Sequence, residues 1–544
     1  MRGFVFFLSL SIGLSLRSRC ADEAATGDGV RLLKYPFPYE AAATVNSDID
    51  GATVEKFNAV HALVNGTNRI SSDSQTLELL LSEGVGQGLS VQGGGIAGFG
   101  LPLADSFWLY GAGIGVYERF DYARGVPVPQ THGGRDLREI LDEWFQKGWL
   151  DTLHTTGSGD MRREATQAGL AWLAQRSERS VVVWVNHSST VTPACVGPCV
   201  RSSLELLSKN AIKCVTGSLC LIGAEGLARR IASDPYPARF PPGQAFRCWS
   251  LSVLLGVSVL FAVAVGIVPR LRRKSALAGA VGLLLGTLLL LYVVPVRYHL
   301  GDDPDTPYYC ADLLRQRGFA YYWLLADVPG CRALVQNTLC LPETEMSGQS
   351  TILRVGRLDD GASVLIFPRC YKGVYGVRSL ELLTEPNLSE LCRRQATAIL
   401  FTHWTSNPPE VFTADGLQGL RNLQRFYGDG RVWVAPTSQI LDFTFARTFL
   451  RFTVEVRGDQ RLIRVSGLAS PLGELVPPTL ANLQGITFDC PSGKPVALEL
   501  AGTEIAASDL QISVRGDRTI LQVPLLGSAP GAALALLRRP AKAD

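Results

Sequence analysis

Two long, uncharged apolar runs separated by a short basic segment restrict the folds open to this chain more than any other feature. Residues 249–268 and 276–294 form runs of twenty and nineteen residues without a charge. A membrane-spanning helix needs about 20 apolar residues. The connecting loop 269–275 carries four basic residues, a pattern typical of the cytoplasmic side of a membrane. We therefore predict a two-helix transmembrane hairpin, with a pair of buried core helices as the alternative.

The amino terminus has the pattern of an export signal. A short positive start and an apolar stretch ending near Leu16 are followed by polar residues, so residues 1–22 are predicted to be a signal peptide, with an uncleaved anchor as the alternative. Both signals predict a membrane-embedded protein whose two large segments lie on the extracytoplasmic side.

Composition narrows the classes of partner. The net charge of +3 in 544 residues is too small to indicate a nucleic-acid partner. None of the twelve cysteines forms a CxxC pair, which argues against a zinc ribbon or a thioredoxin-like site.

Short apolar runs alternate with helix-like stretches on both sides of the predicted hairpin, which indicates a parallel sheet or barrel. Residues 30–246 and 299–442 are therefore predicted to be two parts of one α/β domain. The predicted strands include 42–45, 107–110, 181–185 and 398–401, and the predicted helices include 54–64, 137–147, 164–176 and 414–427.

The pattern changes to period two near residue 443, where apolar and polar residues alternate between glycine-containing turns. Residues 443–530 are predicted to form an antiparallel β-sandwich-like domain. Residues 531–544 are predicted to be a loose tail.

Polar side chains cluster where the predicted strands end. His154, His187 and His403 each follow or end a β-like run, and a further run ends at Asp48 and Asp50. Carboxyl ends of parallel strands are where barrel active sites are assembled. Carboxylates and imidazoles brought together there bind a divalent metal such as zinc and activate water. The alternative is that each residue caps a helix or bonds a loop.

The order of several short motifs along the chain resembles a known family. The segments are TVNSDIDG, LADSFWLY, LHTTGSGD, VWVNHSS, GDDPDTPYYCADLLRQRGFAYYW, LFTHW and GDGRVWVAPTSQIL. Together they resemble the polysaccharide-deacetylase-like (NodB-type) deformed (β/α) barrels, over roughly residues 34–445. The resemblance implies such a barrel, interrupted here by the membrane hairpin.

The resemblance also implies roles for individual residues. Asp48 would be the catalytic base, and Asp50, followed by Gly51, a metal ligand. His154 would be a second metal ligand, and His403 the general acid that protonates the leaving group.

The chain departs from the family pattern at the third metal ligand. Position 158 holds Ser158 where the family has a second histidine. Asp160 is the nearest replacement, and His187 has no counterpart and would be an extra ligand or a substrate contact.

Aromatic side chains near the strand ends suggest a sugar-binding platform. Trp108, Tyr308 and Trp404 are the main candidates, with ordinary core packing as the alternative. The favoured function is a metal-dependent polysaccharide deacetylase acting on a polysaccharide or a lipid-linked glycan. The alternatives are a non-catalytic glycan-binding scaffold in polysaccharide synthesis or export, and a glycoside hydrolase.

Overall fold

The computed structural model describes residues 29–71, 74–82, 95–111, 114–157, 161–175, 181–186, 200–202, 295–297, 307–323, 339, 352–358, 360–373, 376–405 and 412–525. Eight α-helices occur in these ranges: α1 (Val54–Val64), α2 (Gln75–Ser82), α3 (Leu137–Gln146), α4 (Arg163–Ala174), α5 (Ala311–Gln316), α6 (Glu385–Arg393), α7 (Ala414–Gly428) and α8 (Thr437–Phe449).

The same ranges contain the following strands: β1 (Arg31–Leu32), β2 (Ala41–Ser47), β3 (Arg69–Ser71), β4 (Gly95–Ala97), β5 (Asp105–Tyr110), β6 (Gly115–Asp121), β7 (Val126–Pro129), β8 (Thr131–His132), β9 (Arg135–Asp136), β10 (Leu150–His154), β11 (Val183–Val185), β12 (Val200–Ser202), β13 (Pro295–Arg297), β14 (Tyr321–Trp323), β15 (Arg354–Arg357), β16 (Ser363–Ile366), β17 (Thr397–Thr402), β18 (Val432–Val434), β19 (Leu450–Arg457), β20 (Gln460–Ala469), β21 (Leu475–Val476), β22 (Thr487–Pro491), β23 (Val496–Leu500), β24 (Thr503–Glu504), β25 (Gln511–Arg515) and β26 (Arg518–Gln522).

A large, mostly parallel sheet organises the first part of the molecule. Its strand order is β15-β16-β14-β11-β10-β5-β2-β17, with β18 pairing to the start of β2 and β6 to β5. Every residue of β2 and β17 is buried, as expected for strands covered on both faces. Helix α3 turns Ile140, Leu141 and Trp144 toward the interior, in agreement with the helical spacing read from the sequence.

The predicted deformed barrel is wrong: the sheet does not close among the described residues. Within the described ranges, a single isolated parallel bridge, from Cys370 after β16 to Leu400 on β17, connects the two sides of the sheet. Pro368 explains why pairing stops here, because proline has no backbone N–H to donate to a strand ladder.

The membrane prediction is also contradicted. Among the described residues, no helix is long and apolar enough to cross a membrane. The signal-peptide region 1–22, the predicted spans 249–268 and 276–294 and their connecting loop 269–275 lie outside the described residues.

The carboxyl-terminal part differs from the predicted antiparallel sandwich in three ways. Helix α8 occupies the first residues of the predicted domain. Two sheets follow, and in one of them β20 pairs with β23 in parallel. In the other, β1 from the amino-terminal end pairs with β22. The predicted tail, 531–544, lies outside the described residues.

One apolar core joins these sheets to the large sheet. It contains Val183 and Tyr321 from the large sheet, Phe445 from α8, and Ile463 and Phe488 from the carboxyl-terminal strands, all 0% exposed. The two parts are therefore packed as one body, with α8 between them.

Candidate functional site

Four of the predicted site residues lie together at the carboxyl ends of neighbouring strands. Asp48 and Asp50 follow β2, His154 is the last residue of β10, and His403 follows β17. Because β5 lies between β2 and β10, and β17 pairs with β2 along its length, the four side chains meet at one edge of the sheet.

Asp50 lies at the centre of this group. One carboxylate oxygen lies 3.2 Å from Nε2 of His154, and the other lies 3.3 Å from Nε2 of His403. The side chain of Asp50 is 29% exposed, whereas those of His154 and His403 are 1% and 7% exposed. Asp50 is thus the member of the group that a solvent molecule or substrate reaches most easily.

Asp48 has a different environment. Its two carboxylate oxygens accept hydrogen bonds of 2.7 and 3.1 Å from the guanidinium of Arg369, and both side chains are almost fully buried. Nε2 of His154 lies 3.8 Å from Asp48, so this imidazole lies between the two carboxylates.

Sequence reasoning missed Arg369. Its guanidinium lies 3.8 Å from the ring centre of Trp323 and 4.3 Å from that of Phe401, an arrangement that adds cation–π attraction to the ion pair. The available signal was an arginine directly after the apolar run of β16 and Pro368, since a charge so close to a buried strand needs a partner.

One buried carboxylate on the strand that carries His154 was not predicted from the sequence. Asp151, on β10, is 3% exposed and accepts hydrogen bonds of 2.8 Å from the hydroxyl of Thr152 and from the backbone N–H of Ser438. Burial away from water raises the pKa of Asp151 above the ordinary range for an aspartate.

Only part of the predicted metal site lies within the described residues. No group of three or more His, Cys, Asp and Glu side chains within the described ranges is arranged to hold a metal ion. Asp50 instead contacts its two imidazoles directly. Two predicted site residues, Asp160 and His187, lie outside the described residues. The divalent metal therefore stays a prediction, because one of its three predicted ligands, Asp160, lies outside the described residues.

The predicted aromatic platform is largely in the interior. Trp404 is 1% exposed and donates its indole N–H to Asp105 at 2.8 Å. Trp108 is 5% exposed, and its ring stacks on His154 with ring centres 5.9 Å apart. Tyr308 is 6% exposed. The ring of Trp108 thus contacts a member of the Asp50 group.

Comparisons with known proteins add no relative: no family profile, curated protein or solved structure matches the chain.

Proposed function

We propose that this protein is a carbohydrate-active hydrolase that removes acyl groups from a polysaccharide, with Asp50, His154 and His403 as its acid–base centre. The observation that carries the proposal is the contact of both Asp50 oxygens with imidazoles from two different strands. A carboxylate flanked by imidazoles, in partial contact with solvent, suits proton transfer. The resemblance of the motif order to that of polysaccharide-deacetylase-like proteins supports a glycan substrate.

The proposed reaction transfers one proton from water to the protein and one proton from the protein to the leaving group. Asp50 accepts a proton from a water molecule while the oxygen of that water bonds to the acyl carbonyl carbon. His403 donates a proton to the sugar nitrogen or oxygen while the bond between that atom and the acyl carbon breaks. The acyl group is released as a carboxylic acid. Asp48 is a poorer candidate for the base because Arg369 occupies both of its oxygens. His154 holds the other side of Asp50.

Release of acetate from acetylated polysaccharides and chitooligosaccharides tests the proposal. Asp50→Asn and His403→Gln are expected to lower kcat about 10²- to 10⁴-fold, the usual contribution of a positioned acid or base. Asp459→Asn, in an exposed hairpin turn, and His132→Gln, at an exposed ion pair, are matched controls that leave kcat unchanged.

Three outcomes contradict the proposal. One is acetate release that survives Asp50→Asn. Another is the appearance of new reducing ends without acetate, because that product indicates glycoside cleavage. Glycan binding with no turnover by the wild type indicates a binding scaffold instead.

A further inference from the structure

Asn46 lies on β2, two residues before Asp48, and both the nitrogen and the oxygen of its side-chain amide are hydrogen-bonded. Its amide nitrogen donates to the hydroxyls of Thr152 and Thr437 at 3.1 and 3.2 Å, and its amide oxygen accepts from Arg369 at 2.8 Å. Asn46 is 0% exposed. Two donor contacts on one end and an acceptor contact on the other fix the orientation of the amide.

The contact with Arg369 links Asn46 directly to the site. The same guanidinium nitrogen, Nη1, donates to Asn46 and to Asp48, at 2.8 and 2.7 Å. Residues two apart on a strand point to the same face, so Asn46 and Asp48 hold one arginine from one side of β2. An asparagine suits this position because it accepts a hydrogen bond without adding a second charge that competes with Asp48.

The other end of the network is anchored by helix α8. The helix begins after Pro436, which has no capping side chain, and Asp151 accepts the N–H of Ser438 in place of a cap. Thr152 then joins Asp151 to Asn46 through its hydroxyl, at 2.8 and 3.1 Å. A continuous chain of buried hydrogen bonds therefore runs from the first turn of α8 to Arg369.

We infer that Asn46 is a positioning residue, which fixes Arg369 and through it Asp48 behind the Asp50 centre. The inference rests on the proposed function, because positioning has a consequence only where there is a reaction. The network uses side chains from β2 and β10 and the segment after β16, so it sets the relative placement of strands that carry Asp48, Asp50 and His154.

Steady-state kinetics of Asn46→Ala provides the test. We expect kcat to fall about 10- to 100-fold, the effect of one lost hydrogen bond to a charged group, with KM changed less than about twofold because Asn46 is too deeply buried to contact substrate. The double variant with Asn46→Ala and Arg369→Lys should lower kcat no more than the more impaired single variant does. Both substitutions disrupt the same hydrogen-bonded network.

A matched control separates positioning from general stability. Asn482 is 3% exposed and holds the backbone at Thr479 and Pro477 in the carboxyl-terminal part. Asn482→Ala is expected to lower the unfolding midpoint while the folded fraction keeps wild-type kcat. If Asn482→Ala lowers kcat as much as Asn46→Ala does, or if Asn46→Ala retains wild-type kcat, the inference is overturned.

A second pair of variants keeps the test decisive if Asn46→Ala does not fold. Thr152→Val removes one acceptor of the Asn46 amide, whereas Thr152→Ser keeps it. The kcat of the valine variant should fall about tenfold, whereas the kcat of the serine variant should stay near the wild-type value. Equal kcat values in the two variants overturn the inference. A wild-type protein that releases no acetate overturns the proposed function itself, whereas an active wild type with unaffected Asn46 and Thr152 variants overturns only the role of Asn46.

Discussion

Arg369 and Asp48 form an ion pair that is almost completely shielded from water, with side-chain exposures of 0% and 5%. Removing the charge from both residues of such a pair is tolerated far better than removing it from one, because a single deletion leaves an uncompensated buried charge. The free energy of unfolding of variants in this pair therefore tests whether Arg369 and Asp48 are paired as described.

Arg369→Met is expected to lower the free energy of unfolding by about 3–5 kcal/mol. Adding Asp48→Asn should recover much of that loss, because the second change removes the stranded carboxylate. Urea-induced unfolding measures both. Arg425→Met is the control: Arg425 pairs with Glu385 at an exposed position, where loss of the pair costs less than about 1 kcal/mol. A double variant less stable than Arg369→Met contradicts this account.

Asp151 gives the stability a pH dependence of predictable sign. Its pKa is raised in the folded protein by burial, so between the unfolded and folded pKa values the folded state binds more protons. Stability then falls as pH rises. The stability of the wild type relative to Asp151→Asn should be greatest near about pH 4 and decline toward neutral pH.

An opposite slope at Asp136 is the control for that measurement. A side-chain hydrogen bond from Arg138 lowers the pKa of Asp136, so its stabilising contribution is present at neutral pH and lost as pH falls. The wild type should gain stability over Asp136→Asn as pH rises. Curves of the same sign for both variants contradict the assigned causes.

The site residues were predictable to the extent that strand ends are visible in the sequence. Asp48, Asp50, His154 and His403 each follow an apolar run, and parallel pairing brings such positions together. Arg369 and Asn46 were not predictable in this way, because their importance comes from contacts between segments more than three hundred residues apart.

At the scale of single elements, β17 depends on a glycine outside it. Gly376 has φ +67, and a Cβ added there would lie 2.6 Å from the carbonyl oxygen of Phe401. Phe401 lies two residues before His403, so a backbone shift at Phe401 is transmitted to the imidazole.

Gly376→Ala is therefore expected to lower the free energy of unfolding by about 2–4 kcal/mol, from the left-handed conformation and the steric overlap together, and to lower kcat as His403 moves. Thermal unfolding and acetate release measure the two effects. Gly428→Ala, at the end of α7 with nothing within 4 Å of the added Cβ, should be neutral or slightly stabilising. Equal stability of the two variants contradicts the prediction.

Element positions followed from periodicity better than element pairing did. Helix α3 begins at residue 137 as predicted, and β2 and β17 contain the predicted strand residues. Closure of the sheet and the parallel pairing of β20 with β23 were mispredicted, because period-two alternation does not specify which strand lies beside which.

At the scale of the whole molecule, the shared core predicts a single cooperative transition. All nine tryptophans precede residue 450, so none of them belongs to the carboxyl-terminal strands themselves. Phe488 lies in the carboxyl-terminal part, is 0% exposed and packs against Phe452 with ring centres 5.2 Å apart.

Phe488→Ala should cost about 3–5 kcal/mol and lower the unfolding midpoint reported by tryptophan fluorescence, although no tryptophan lies near it in sequence. Ile512→Ala, at a side chain that is 43% exposed, should have little effect. An unchanged fluorescence midpoint in Phe488→Ala, with a separate transition seen by far-UV circular dichroism, indicates two independent units and contradicts the prediction.

The pairing of β1 with β22, through Arg31 with Asp489 and Leu32 with Phe488, has a consequence for biosynthesis. More than 450 residues separate the paired positions, so the ribosome makes the first strand long before its partner. The first strand therefore lacks its neighbour while the residues between them emerge. The native pairing forms only after β22 has been made, so the nascent protein has a long interval in which chaperones can bind the first strand.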